Sequence, residues 1–230
     1  MRIIVCCLLA VAAAGTALAQ GSPEGWLVPF AAAYQPRVAG FNRQFDSLGF
    51  PGASSRHYGW GIELRSLVSG FLIGPMFFRT WDDVESDRWQ LRTDATGIFG
   101  NVGLKLAPAD FIIIVPSIGL GGLNQSFTIR EKSSAVPIES LNGGAPEVIS
   151  MSPGMKLAGL ASLELDLTIR ASTGRYGLSL RGGYLYSPLG LTWRLANGAE
   201  VRGTPSDKLG GPFFSAGILI MPDAQTSAAQ

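Results

Sequence analysis

The stretch KLAGLASLELDLTI, Lys156 to Ile169, decides the fold. Alternate residues Lys156, Ala158, Leu160, Ser162, Glu164, Asp166 and Thr168 hold all its polar side chains. The intervening set, Leu157, Gly159, Ala161, Leu163, Leu165, Leu167 and Ile169, holds none. Residues two apart share a face only in an extended strand; a helix would scatter the same charges around its surface. The segment therefore reads as a β-strand with one polar and one apolar face.

The same period runs along the rest of the chain, and helical periodicity is almost absent. Tyr58, Trp60, Ile62 and Leu64 alternate with Gly59, Gly61, Glu63 and Arg65. In Arg175 to Tyr186, Tyr176, Leu178, Leu180, Tyr184 and Tyr186 oppose Arg175, Gly177, Ser179, Arg181 and Gly183. Thr96 to Leu106 sets Ile98, Val102, Leu104 and Leu106 against Asn101, Gly103 and Lys105. Less regular segments are Trp26 to Tyr34, Gly70 to Trp81, Phe111 to Leu123 and Pro212 to Met221; Pro75 and Pro116 interrupt two of them, since proline cannot donate to a ladder. Together these make eight strands.

The connections add a second signal. Short turns are expected near Leu67-Val68, Pro108-Ala109 and Ser172-Thr173-Gly174, and connections of well over ten residues near Gln35, Asp82, Asn124 and Ser187. Long and short alternate, so an up-and-down barrel would carry all the long loops at one end. That asymmetry belongs to barrels with short periplasmic turns and long outer loops.

Residues 1–19 read as a cleaved signal peptide: Arg2, an apolar run from Ile3 to Ala14, then Ala17-Leu18-Ala19 before Gln20. Both cysteines, Cys6 and Cys7, fall inside it, so residues 20–230 offer no thiol for a disulfide or a metal. A net charge of +1 gives no field for nucleic acid. Charged residues make up 15% of the chain, below the roughly 25% usual for soluble domains. Residues 20–230 contain no apolar run of the roughly 20 residues a spanning helix needs, so a membrane form must close as a barrel.

Alternation alone does not say which face is outside, and a soluble lipocalin-like carrier has the same period. Two features favour lipid outside. The polar face is rich in Gly, Ser and Ala, which suits a crowded lumen. Aromatic residues also gather toward strand ends, where a bilayer interface accepts them. Trp26, Tyr34, Tyr58, Trp60, Trp81, Tyr176, Tyr184 and Tyr186 are the expected girdle.

With these features, and with segments such as Pro116-Ser117-Ile118-Gly119-Leu120-Gly121 and Arg181-Gly182-Gly183-Tyr184-Leu185-Tyr186, the chain resembles the small OmpA/OmpX-like eight-stranded outer-membrane barrels. The resemblance implies an all-β, antiparallel, up-and-down transmembrane barrel in the bacterial outer membrane. It further implies outer-membrane lipids and the barrel-assembly machinery as partners, and an extracellular ligand at the long loops. The polar tail 222–230 departs from the aromatic ending common in such barrels and moves an assembly signal inward to the last strand.

On the lumen side the alternation places Glu63, Arg65, Lys105, Glu164, Asp166, Arg175 and Arg181, three acids against four bases. Buried charges need partners, so a salt-bridged plug is expected. His57, near Ser54 and Ser55, is the one candidate for a catalytic role, as in barrels that hydrolyse outer-leaflet lipids with a Ser-His pair. The acidic stretch Trp81 to Arg92 lacks the spacing of a calcium loop and reads as a solvated outer loop. Its Trp81 and Trp89, with Trp193, could form a ligand-contact patch. No cofactor or metal motif is present. The sequence reads as a non-enzymatic structural or surface-interaction barrel with a plugged lumen. A lipid esterase or acyltransferase, a small pore and a soluble carrier are the alternatives.

Overall fold

The computed structural model describes residues 25–132, 148–172, 174–201, 204 and 208–222. The expected signal segment 1–19, and the tail beyond Pro222, lie outside them.

Eleven strands and one helix make up the described chain: β1 (Gly25–Tyr34), α1 (Ala39–Ser47), β2 (His57–Val68), β3 (Phe71–Glu85), β4 (Trp89–Leu104), β5 (Leu106–Ala109), β6 (Ile112–Glu131), β7 (Val148–Ser152), β8 (Lys156–Ala171), β9 (Gly174–Tyr186), β10 (Arg194–Leu195) and β11 (Gly210–Pro222). Eight of the strands form a closed ring in the order β1-β2-β3-β4-β6-β8-β9-β11, with every pairing antiparallel. β1 and β11 complete it through pairs such as Leu27 with Ile220 and Tyr34 with Phe213. Closure leaves no free edge along the ring, which is how an antiparallel sheet satisfies its backbone without water. All eight expected strands are present, each joined to its sequence neighbour.

Two-residue hairpins suit a turn twisted like the strands, and that needs positive φ at both central positions. Ser69 (φ 50°) and Gly70 (φ 87°) meet the requirement. The turn between β2 and β3 therefore falls at 69–70, two residues beyond its expected place, because Leu67 and Val68 still pair with Leu72 and Phe71.

The opposite end departs further from expectation. The connection starting near Asp82 is not a long loop: β3 and β4 stay paired up to Glu85 with Gln90, leaving three residues, Ser86 to Arg88, at the tip. β6 likewise runs past Leu123 to Glu131, paired with β4 as far as Trp89 and with β7 through Phe127 to Arg130. The three strands thus project beyond the barrel as a small sheet. Their charged residues hid the pattern, because opposite charges pair across this ladder without an apolar face to mark it at Asp82-Asp83.

One face of the projecting sheet is covered by α1, where the sequence reads as loop. Phe41 and Phe45 lie one turn apart on one side of the helix and pack with Phe127, Leu91, Ile129 and Trp193. The Phe41 ring centroid is 4.7 Å from Phe127 and 4.6 Å from Trp193. The helix ends in a Schellman motif: Phe50 N–H donates to Phe45 O (2.9 Å), Gly49 N–H to Asp46 O (3.1 Å), and Gly49 takes φ 76°. Asn42 then fastens the returning chain, its side chain exchanging two hydrogen bonds with the backbone of Ala53.

Candidate lumen site

Period-two geometry sends the odd residues of β2 and β9 and the even residues of β8 inward. The inward side chains lie in layers. Toward the projecting sheet lies an aromatic layer with Phe30, Tyr34, Phe78, Phe99 and Phe213. At the short-turn end lies a second apolar layer with Trp26, Val28, Leu72, Ile113 and Met221. Between them sit the charges.

β2 and β8 face each other across the ring, four strand positions apart. Arg65 on β2 spans that distance and donates from Nη2 to both Glu164 oxygens, at 2.6 and 2.8 Å. It also donates to its own strand neighbour Glu63 at 2.5 Å. Arg181 on β9 donates to Glu164 Oε2 from Nε (3.0 Å) and Nη2 (2.6 Å), and to Glu63. Asn101 on β4 completes the Glu63 shell at 2.9 Å, and Ser179 donates to Glu164. Asp166 sits 3.6 Å from Arg65 Nη1, an ion-pair distance without a hydrogen bond. All five charged side chains are buried. The set holds three carboxylates and two guanidinium groups. Charges this deep need opposite partners: Glu63, Arg65, Glu164 and Arg181 meet theirs through hydrogen bonds, and Asp166 lies at ion-pair distance from Arg65. The remaining cavity between them measures about 10 Å³, at or below the roughly 10–15 Å³ that one water needs.

Five of the seven expected lumen charges are thus brought together. The other two stand apart at the short-turn end. Lys105 lies between β4 and β5, its ammonium 5.1 Å from the centre of the Trp26 ring. Arg175, at the start of β9, is half-buried beside Arg170 and Met221. What the sequence reading missed is the neutral part of the site, Asn101 and Ser179, whose side chains carry no charge signal.

The expected girdle needs correction at two positions. Trp26 and Tyr34 are 2% and 0% exposed and point into the lumen. β1 reads GWLVPFAAAY, apolar on both faces, so alternation has nothing to sort there; the ring places Ala31 and Ala33 outside. Tyr58, Trp60, Tyr176, Tyr184 and Tyr186 are exposed on the outer face, and Trp81 is half-exposed beside Tyr58.

His57 also points inward, fully buried, its ring centroid 6.2 Å from that of Tyr34. The Ser54 hydroxyl is turned to Arg56, donating to its carbonyl and accepting from its amide. No Ser-His pair is assembled there. The tryptophan patch weighed as an alternative is likewise not assembled, because Trp193 is buried under α1 and Trp89 packs against Phe50. The acids of the projecting hairpin pair with bases: Asp83 and Asp94 with Arg92, Asp94 also with Arg79, and Glu85 with Lys132. Among the described residues no group of three or more His, Cys, Asp or Glu could hold a metal.

The outer face of the barrel is aliphatic, whereas the middle layer of its lumen is charged. Ile118, Leu163, Ile169 and Ile218 are each more than half exposed, while Glu63, Glu164 and Arg181 are buried. In water this arrangement would expose a continuous aliphatic belt far beyond what a soluble monomer shows. In lipid it satisfies both faces. The described chain is a closed eight-stranded antiparallel barrel with an aliphatic outer face.

Neither a family model nor a curated protein sequence matches the chain. Among solved structures, the barrel is similar to Ail, the attachment invasion locus protein of Yersinia pestis. The identity is 12% and the TM-score 0.48, over 86% of this chain and 99% of that one. Ail in complex with the heparin analogue sucrose octasulfate gives a TM-score of 0.46 at the same identity and coverage. Neisserial surface protein A gives 0.41 at 10% identity, over 86% of this chain and 96% of that one.

Proposed function

We propose that this protein is an exported bacterial outer-membrane barrel with a closed lumen, and that it acts through its outer surface without an enzymatic centre. The observation that carries the reading is Arg65 reaching across the ring to Glu164, with a residual space of about 10 Å³ around it. A hydrated ion does not fit such a space, and the aromatic layer above and the apolar layer below leave the column no wet path. The lumen residues therefore hold the barrel rigid, and the structure added to the barrel lies at the end opposite the short turns. There the projecting sheet and α1 stand on the barrel as a packed platform, suited to an extracellular ligand. In this reading segment 1–19 directs export, and the barrel-assembly machinery inserts the chain into the outer membrane. A catalytic role for His57 gains no support from its burial and from the engagement of Ser54 elsewhere.

The test combines two measurements. Cell fractionation should recover the protein only in detergent extracts of the outer membrane; recovery from the soluble periplasm would end the proposal. The purified, folded barrel in planar bilayers should show no unitary conductance, and regular conductance steps would remove the closed lumen from it.

A further inference from the structure

The lipid-facing surface of the barrel is uneven, and its most distinctive part lies on β9. Tyr184 and Tyr186 project outward near the end that faces the projecting sheet, and each holds a cation. Arg37 Nη2 donates to Tyr184 Oη at 2.5 Å, with the guanidinium carbon 5.7 Å from the ring centre. Lys208 Nζ donates to Tyr186 Oη at 3.2 Å, also 5.7 Å from its ring. Arg37 reaches β9 across the start of β11. Its amide donates to Gly210 O at 3.2 Å, and Gly210 and Gly211 leave the crossing open; a Cβ at Gly211 would stand 1.9 Å from Gln35 O. Both cations are exposed, and among the described residues neither has a carboxylate within ion-pair distance. Each keeps spare N–H donors, since Arg has five and Lys three.

Two grooves lie in the apolar wall, one on each side of Gly182. The first starts at Tyr184, is floored by Gly182, Ala161 and Pro116, and passes Ile118 toward Phe71 at the other rim. The second is floored by Ala31, Ala33 and Ala216 between the rings of Tyr58 and Phe214. Small residues surrounded by larger ones give a flexible hydrocarbon chain more contact than a smooth wall does, and dispersion contacts add up with area.

We propose that this face of the barrel binds a lipid whose head group carries two phosphates, one against Arg37 and one against Lys208, with acyl chains lying in the two grooves beside Gly182. The two cations sit on tyrosines two residues apart on one strand, a pairing that suits a doubly phosphorylated head better than a singly phosphorylated one. A planar guanidinium offers a phosphate a bidentate match and the ammonium a point charge. This inference rests on the membrane reading above.

Native mass spectrometry of the detergent-purified full-length protein tests it, with diphosphoryl lipid A, monophosphoryl lipid A and phosphatidylethanolamine as probes. The wild-type barrel should retain the diphosphoryl form at about tenfold lower concentration than the monophosphoryl form, and phosphatidylethanolamine least. Arg37→Ala and Lys208→Ala should each abolish the preference for the second phosphate, whereas Arg37→Lys should keep part of it. Ala161→Phe, which fills the first groove from the lipid side, should weaken retention of both lipid A forms without changing their ratio. Equal retention of the two forms, or a preference untouched by the alanine variants, would overturn the proposal. A lipid-independent dimer lost in Ala161→Phe would overturn it too, by assigning the face to a second copy. Heat-modifiable migration on gels verifies that each variant is a folded barrel. A folded barrel without preference defeats only the lipid site, whereas a chain soluble without detergent defeats the membrane reading itself.

Discussion

Arg181 on β9 and Glu164 on β8 are joined by two hydrogen bonds to a single carboxylate oxygen, from Nε at 3.0 Å and Nη2 at 2.6 Å, inside a lumen that exposes neither side chain. Glu164 also receives Arg65 from the opposite wall, so one carboxylate ties three strands of the ring together.

Glu164→Ala should therefore destabilise the barrel strongly. Removing one member of a buried ion pair costs about 3–5 kcal/mol, because the partner charge is left uncompensated; here two guanidinium groups lose it at once. Urea unfolding of the barrel in lipid vesicles, followed by tryptophan fluorescence, measures the change. A midpoint equal to wild type would show that the cluster contributes little to stability.

Arg65→Ser removes the side chain that crosses the lumen while keeping a polar group. Bilayer recordings of this variant should stay silent, because the aromatic layer around Phe78 and Phe213 and the apolar layer around Trp26 still close the column. Conductance steps absent from the wild type would place the whole seal in the contact of Arg65 with Glu164.

The outward face offers a separate check on the membrane assignment. Ile118 is 71% exposed in mid-strand, and Ile118→Arg should cost about 2–4 kcal/mol if the position lies near the bilayer midplane. On a soluble barrel the same exposed substitution would be nearly neutral. Folding yield into vesicles, compared with that of Ile118→Leu, separates the two cases.

Gly97 is a packing requirement of the lumen. A Cβ at that position would lie 2.2 Å from the Phe78 ring. Gly97→Ala should therefore force the ring aside, and overpacking of this kind costs about 1–3 kcal/mol. The shift appears as a lowered urea midpoint with the same strand content by circular dichroism.

The α1 platform should fail without the barrel failing. Phe41→Ala removes the ring that meets both Phe127 and Trp193, and losses of about 3–5 kcal/mol follow such truncations in a packed core. Limited proteolysis should then cut between Pro36 and Gly52 faster than in wild type, while heat-modifiable migration of the barrel stays unchanged. Loss of barrel folding in this variant would show that the platform and the barrel fold as one unit.

By itself the sequence determined the eight strands, the up-and-down order and the sorting of Glu63, Arg65, Glu164, Asp166 and Arg181 onto one side. Each of these depends on period-two alternation, which is local and survives in any strand with one polar and one apolar face. Where both faces are apolar, as in Trp26 to Tyr34, alternation carries no direction, and ring closure alone turned Trp26 and Tyr34 inward. The hairpin above the barrel was illegible for the opposite reason: Asp82, Asp83, Glu85 and Arg92 look like a solvated loop until cross-strand pairing supplies their partners. Likewise α1, with Phe41 and Phe45 as its only apolar anchors, becomes a helix against Phe127 and Trp193, residues far away in the chain. The partners within the charge cluster belong to the same class. Alternation puts Arg65 and Glu164 on the polar faces of their strands, but their contact requires β2 and β8 to stand opposite each other, a distance across the ring that the closed eight-stranded barrel sets.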